Sequence, residues 1–106
     1  MATIEDLEKI EIKIGKITNA TKVENSDKLI KLEVDFGNEQ RQIVTAMAEF
    51  FDPKHFIDKE MPFITNLEPR KFKGVLSQGM IMAADVDGKP VLLHPEKKVP
   101  PGSPVI

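Results

Sequence analysis

The segment from Ile30 to Phe36 constrains the fold of this chain more than any other. Ile30, Leu32, Val34 and Phe36 alternate with Lys31, Glu33 and Asp35. A period of two puts the apolar side chains on one face of a strand and the charges on the other. Gly37-Asn38 follows, two residues that tolerate positive φ and so suit a tight hairpin turn. Arg41 to Met47 is then the returning strand. Upstream, Ile10, Ile12 and Ile14 alternate with Glu11, Lys13 and Gly15, and the pattern runs less cleanly from Ile17 to Val23. This predicts one long strand with Gly15 as a bend, closed by the turn cluster Asn25-Ser26-Asp27.

Around these strands the local signals change. Thr3 can cap a short helix with Ile4 and Leu7 on one face, and Asp6 stands where a capping box usually has Glu. Asp52-Pro53 reads as a cap with proline at the first helical position, placing a short helix near Phe50, Phe51, Phe56 and Ile57. Met61 to Thr65 resumes the strand pattern, and Asn66 to Gln78 reads as a polar loop. Gly79 to Val86 is a strand, Asp87-Gly88 a hairpin turn, and Val91 to Leu93 its partner. The end, Pro100-Pro101-Gly102-Ser103-Pro104, can form neither helix nor central strand and is expected to wander over the surface or across a partner. Five or more short strands with a helix between the third and fourth predict an all-β fold with short helices. The specific expectation is an OB-type five-stranded Greek-key barrel with an N-terminal helix and a C-terminal extension. No repeat or composition shift divides the chain, so residues 1–106 read as a single domain.

Composition removes several function classes. The chain has no cysteine, which removes disulfide and thiolate-metal chemistry. No apolar run approaches the roughly 18 residues of a membrane span, and the start shows no signal pattern, so the expected compartment is the cytoplasm. Catalytic candidates are few. His55 and His94 have no second metal ligand at a regular spacing, Ser77 lacks a nucleophile-elbow context, and Gly74 and Gly79 do not frame a phosphate loop. No catalytic residue, metal or cofactor is expected.

Charge is distributed unevenly. The 15 Lys and Arg against 17 Asp and Glu give a net charge of −2, yet Asn66 to Gly79 holds Arg70, Lys71 and Lys73 against Glu68 alone. Arg70 can fork two hydrogen bonds to one phosphate, the lysines add mobile point charges, and Asn66, Ser77 and Gln78 can reach phosphate or sugar oxygens. Lys28 and Arg41 can join them. The competing reading is a solvated loop. Phe72, between two lysines, is expected to point into the barrel. With six Phe and no Tyr or Trp, an aromatic base-reading platform is poorly supplied, which favours recognition of folded RNA by phosphate and 2′-hydroxyl geometry. Met47, Met61, Met80 and Met82 read as core filling. Ile4, Leu7, Pro100, Pro101, Val105 and Ile106 have few local partners in so small a barrel and are expected to form a homodimer seam.

Several of these segments carry a resemblance. Ile12-Lys13-Ile14-Gly15-Lys16-Ile17, Asp27-Lys28-Leu29, Arg41-Gln42-Ile43-Val44-Thr45-Ala46 and Asn66-Leu67-Glu68-Pro69-Arg70-Lys71-Phe72-Lys73-Gly74 occur in that order. Ser77-Gln78-Gly79-Met80, Val91-Leu92-Leu93-His94-Pro95 and Val99-Pro100-Pro101-Gly102 follow. The chain resembles the tRNA-binding OB domain found as the C-terminal or β component of methionyl-tRNA synthetases and as a free-standing bacterial tRNA-binding protein. The resemblance implies an OB barrel, a symmetric homodimer, and binding to the outside of folded tRNA with little sequence preference. It also implies a partnership with a synthetase that holds the catalytic part elsewhere. It places Lys28, Arg41, Asn66, Arg70, Lys71, Lys73, Ser77 and Gln78 at RNA-facing motifs. Glu68 stands where a cation is frequent, which implies a weaker charge at the patch. With the sequence ending at Ile106, the cytokine-precursor role of vertebrate relatives is not expected. The alternative is a dimeric chaperone-like relative of the same fold that holds unfolded, export-bound polypeptides in an apolar groove.

Overall fold

The computed structural model describes residues 1–106 as one helix, a run of strands and one 3-10 turn. The helix α1 (Ile4–Glu8) is closed at its start by the expected box: the Thr3 hydroxyl accepts from Asp6 N and the Asp6 carboxylate from Thr3 N. Then come β1 (Ile12–Lys22), β2 (Ile30–Asp35), β3 (Gln40–Thr45), the 3-10 turn Pro53–Phe56 and β4 (Glu60–Ile64). The chain continues through β5 (Arg70–Phe72), β6 (Val75–Ser77), β7 (Met80–Ile81), β8 (Ala83–Val86) and β9 (Lys89–Leu92).

Five strands form one antiparallel sheet in the order β3-β2-β1-β4-β7. The sheet curls until its outer strands face each other, where Gln78 N donates to Gln42 O at 2.8 Å. Sequential pairing of β1, β2 and β3, with β4 returning to the far edge of β1, is the expected OB topology. Ile17, Ile30, Leu32, Val34, Ile43, Phe56, Met61 and Phe63 fill the interior and are fully buried. Each such side chain contributes about 1.5–3 kcal/mol by leaving water. The turn between β3 and β4 supplies Phe56 to that core, and Asp52 caps it by accepting from Lys54 N, as the Asp-Pro pair indicates. Gly15 is required by close approach: a Cβ there would come within 2.7 Å of the Phe36 ring. Burial along β1 does not alternate strictly, because its pairing register with β2 slips between Ile17 and Asn19.

Several expectations are corrected. Ile10 is not in the inner row of β1; it precedes the strand, donates to Leu7 O and is exposed. Asn66 to Gln78 is not a loop but carries the β5–β6 hairpin, whose two turn residues Lys73 and Gly74 have φ of 52° and 80°. Positive φ at both positions is the signature of the tight turn that matches strand twist. The expected strand Gly79 to Val86 is split at Met82, where the chain leaves the main sheet and pairs with β9 instead. Met47 and Met61 are core residues, whereas Met80 is exposed. The proline-rich tail does not wander. Gly102 N donates to Ile14 O, Ile14 N to Ser103 O and Val105 N to Ile12 O, so the tail continues the sheet along β1 beyond the end of β2.

Candidate nucleic-acid interface

The β5–β6 hairpin stands on two feet, Thr65-Asn66 and Gln78, and both are tied to the barrel. Asn66 Oδ1 accepts from Glu11 N at 2.8 Å while its Nδ2 donates to Lys9 O at 2.7 Å. Ser77 is buried; its hydroxyl accepts from Val44 N at 2.9 Å and donates to Gly79 O at 3.0 Å. Gln78 Oε1 accepts from Gln42 N, and Gln42 Nε2 donates to Leu76 O. Arg41 joins the two feet, its guanidinium donating to Thr65 O and to Gln78 O while its Nε donates to Glu39 and its plane lies 5.9 Å from the Phe36 ring centre. Hydrogen bonds from an ionised donor are the strong ones, so this clamp fixes where the hairpin points.

Beside the clamp, Glu11 accepts from the Thr65 hydroxyl at 2.6 Å. That bond holds its carboxyl below the ordinary glutamate value, against partial desolvation and with help from Lys13 and Arg41. Glu39 is likewise lowered by its hydrogen bond from Arg41.

The structure thus divides the eight residues singled out by sequence. Arg41, Asn66, Ser77 and Gln78 spend polar atoms on the fold. Arg70, Lys71 and Lys73 stand together, exposed, on the hairpin, and Lys28 is exposed in the turn between β1 and β2. None of these four is salt-bridged, since the three ion pairs use Lys9, Lys13 and Arg41. Phe72 does not enter the barrel core as expected. It is half-buried with the Arg70 guanidinium 5.2 Å from its ring centre, and the two help line a groove of about 330 Å³ with Leu67, Val44, Ser77 and Met80. Leu67 and Met80 were not singled out as site residues, and a lone exposed apolar residue gives sequence reasoning no signal.

The histidines serve structural contacts. His55 stacks on Phe51 with ring centres 4.9 Å apart, and His94 Nδ1 lies 3.1 Å from Glu60 O. No three His, Asp or Glu side chains gather into a metal-ligand cluster. No helix is long and apolar enough to cross a membrane.

Residues 12–104 match the family model described as "Putative tRNA binding domain". The chain belongs to this tRNA-binding domain family. Methionine–tRNA ligase of Archaeoglobus fulgidus is 52% identical to the domain over 103 residues, 97% of the chain. The ligase of Parabacteroides distasonis is 42% identical over 95% of the chain. The domain spans only 16% and 15% of those two ligases, about one sixth of their length. Among solved structures, a MetRS-related protein from Pyrococcus horikoshii superposes with a TM-score of 0.96 at 40% identity, covering 100% of the domain and 98% of that chain. The chaperone CsaA of Bacillus anthracis superposes with a TM-score of 0.89 at 26% identity, covering 100% and 99%. The expected family and the OB-type fold are both borne out. The domain is homologous to a non-catalytic, tRNA-binding part of methionyl-tRNA synthetase.

Proposed function

We propose that this domain binds folded tRNA with its β5–β6 hairpin and serves a methionyl-tRNA synthetase whose catalytic part lies elsewhere. One observation carries the reading: three unpaired cations, Arg70, Lys71 and Lys73, project from a hairpin clamped at both feet. Arg70 forks to a phosphate, Lys71 and Lys73 neutralise its neighbours, and Lys28 adds a contact from the β1–β2 turn. Arg41, Asn66, Ser77 and Gln78 act as positioning residues that hold the cationic strand in place. The domain has no catalytic residue and needs no cofactor or metal, and it works in the cytoplasm as residues 1–106 of a single folding unit.

The same reading includes a homodimer. Ile4 and Leu7 are 67% and 60% exposed, α1 buries no residue, and Val105 and Ile106 are exposed too. The tail bonds to β1 at Ile12 and Ile14, and we assign Ile4, Leu7, Pro100, Pro101, Val105 and Ile106 to one seam. An apolar set of this kind is suited to a two-fold seam.

Substitution tests the interface. Arg70→Ala and Lys71→Ala are each expected to weaken tRNA binding and to shallow the slope of log affinity against log salt by roughly 0.7–0.9. Dimerisation is expected to stay intact, as read by sedimentation. An unchanged slope would remove these residues from the contact. The likeness to CsaA, together with the groove lined by Leu67, Phe72 and Met80, favours a second reading in which the groove holds an unfolded polypeptide. Binding of unfolded polypeptide with no binding of tRNA would select it.

A further inference from the structure

The groove of about 330 Å³ beside Phe72 is at the small end of ligand pockets, which run to roughly 300–1,000 Å³. Val44 and Ser77, both buried, form its floor, and Leu67, Phe72 and Met80 its apolar walls. One carboxylate stands among these side chains. Glu68 lines the groove, is exposed, and takes part in none of the three ion pairs. The backbone on both sides of it is restrained: Asn66 is held by Glu11 N and Lys9 O, and Pro69 locks its own φ. A phosphate gains nothing from apolar walls and is repelled by a carboxylate. A nucleobase suits both. It can lie against the Phe72 ring and the Arg70 guanidinium, which stands 5.2 Å from the ring centre, because unstacked RNA bases settle on aromatic and guanidinium planes. The carboxylate then decides which base. An ionised carboxylate only accepts hydrogen bonds, and it has two oxygens to do so. Guanine alone offers two adjacent donors on its Watson–Crick edge, N1–H and the 2-amino group. Adenine and cytosine set a donor beside an acceptor, and uracil flanks its single N–H with two carbonyls.

We propose that this groove takes one unstacked guanine of the bound RNA, with Glu68 accepting from N1–H and the 2-amino group and with Leu67, Arg70, Phe72 and Met80 enclosing the base. The inference rests on the tRNA-binding reading given above and adds to it a contact that selects a base. It gives Glu68 an effect opposite to the one its charge alone implies, since a mere anion beside Arg70 and Lys71 would weaken RNA binding.

The test titrates the whole domain, unaltered and as Glu68→Gln, with folded tRNA and separately with GMP, AMP, CMP and UMP, following the methyl signals of Leu67 and Met80 by NMR. Glu68→Gln keeps the shape of the side chain and replaces one acceptor with a donor. GMP is expected to shift both signals saturably where the other three do not. Inosine monophosphate, which lacks the 2-amino group, is expected to bind more weakly than GMP. Glu68→Gln is expected to lose this selection and to bind folded tRNA about tenfold more weakly. Removal of an anion that only repelled phosphate would tighten tRNA binding instead. Binding of folded tRNA by Glu68→Gln that equals or exceeds that of the unaltered domain would overturn the guanine site and leave the hairpin reading standing. Equal shifts with all four monophosphates, or none, would overturn it as well, as would shifts produced by an unfolded polypeptide and not by GMP. No tRNA binding by the unaltered domain at any salt would overturn the underlying reading itself.

Discussion

The Ser77 hydroxyl links three backbone segments, accepting from Val44 N in β3 and donating to Gly79 O beyond β6. Ser77→Ala leaves a buried N–H without an acceptor, and such a group costs about 1–3 kcal/mol. The expected result is a lower midpoint of thermal unfolding and weaker tRNA binding with an unchanged salt slope, because the lost bond positions the cations without being one of them. Glu11 shows what pH does at this scale. Its folded carboxyl is held below 4.5 by the Thr65 hydroxyl, so its contribution to stability is whole above 4.5 and is lost as pH falls below that value. Thr65→Val removes the bond, and its stability deficit relative to the unaltered domain is expected to narrow between neutral pH and acid below 4.5, as read by denaturant unfolding. At the residue scale, sequence located the exposed, unpaired cations of the proposed site and could not separate them from the clamp. Arg41 and Arg70 are the same residue type, and only long-range contacts to Thr65 and Gln78 mark Arg41 as a positioning group.

Elements explain the two largest departures from the sequence reading. Arg70-Lys71-Phe72 and Val75-Leu76-Ser77 lack alternating apolar residues because the hairpin projects from the barrel and has little core to face. The Lys73-Gly74 pair was the available signal for a two-residue turn. The tail departs for a different reason. Its prolines forbid a central strand, yet Gly102, Ser103 and Val105 between them supply the hydrogen bonds that β1 needs past the end of β2. Partners so distant in sequence leave no local trace. By contrast α1, β2 and the Asp52-capped turn were readable, because capping and period-two alternation are local rules. Removing residues 96–106 deletes three backbone hydrogen bonds on β1, a loss of about 2–4 kcal/mol at a typical net value for each. That truncation is expected to lower the unfolding midpoint, to yield monomers in sedimentation, and to weaken tRNA binding as two linked half-sites become one. A dimer that survives the truncation would place the seam elsewhere.

For the whole molecule, a curled sheet buries one continuous core and leaves function to what projects from it. Strand count, turn spacing and one interposed helical turn made an OB-type barrel legible in the sequence, and the structure gives its strand order as β3-β2-β1-β4-β7. The particular contact that joins the outer strands, Gln42 with Gln78, was not legible, because partners so far apart in sequence leave no local signal. The dimer seam was read from apolar residues without partners, and in the single chain Ile4, Leu7, Pro100, Val105 and Ile106 remain exposed while Pro101 is half-buried. Two such domains related by a two-fold axis would present two clamped hairpins to one folded RNA, which couples assembly to affinity. The most direct measurement is titration of the domain with folded tRNA, the same tRNA heat-unfolded, and a single-stranded oligonucleotide of equal charge, each at two salt concentrations. Tight, salt-sensitive binding confined to the folded tRNA is the expected result. Equal binding of all three, or binding of none, would contradict recognition of folded tRNA by the hairpin.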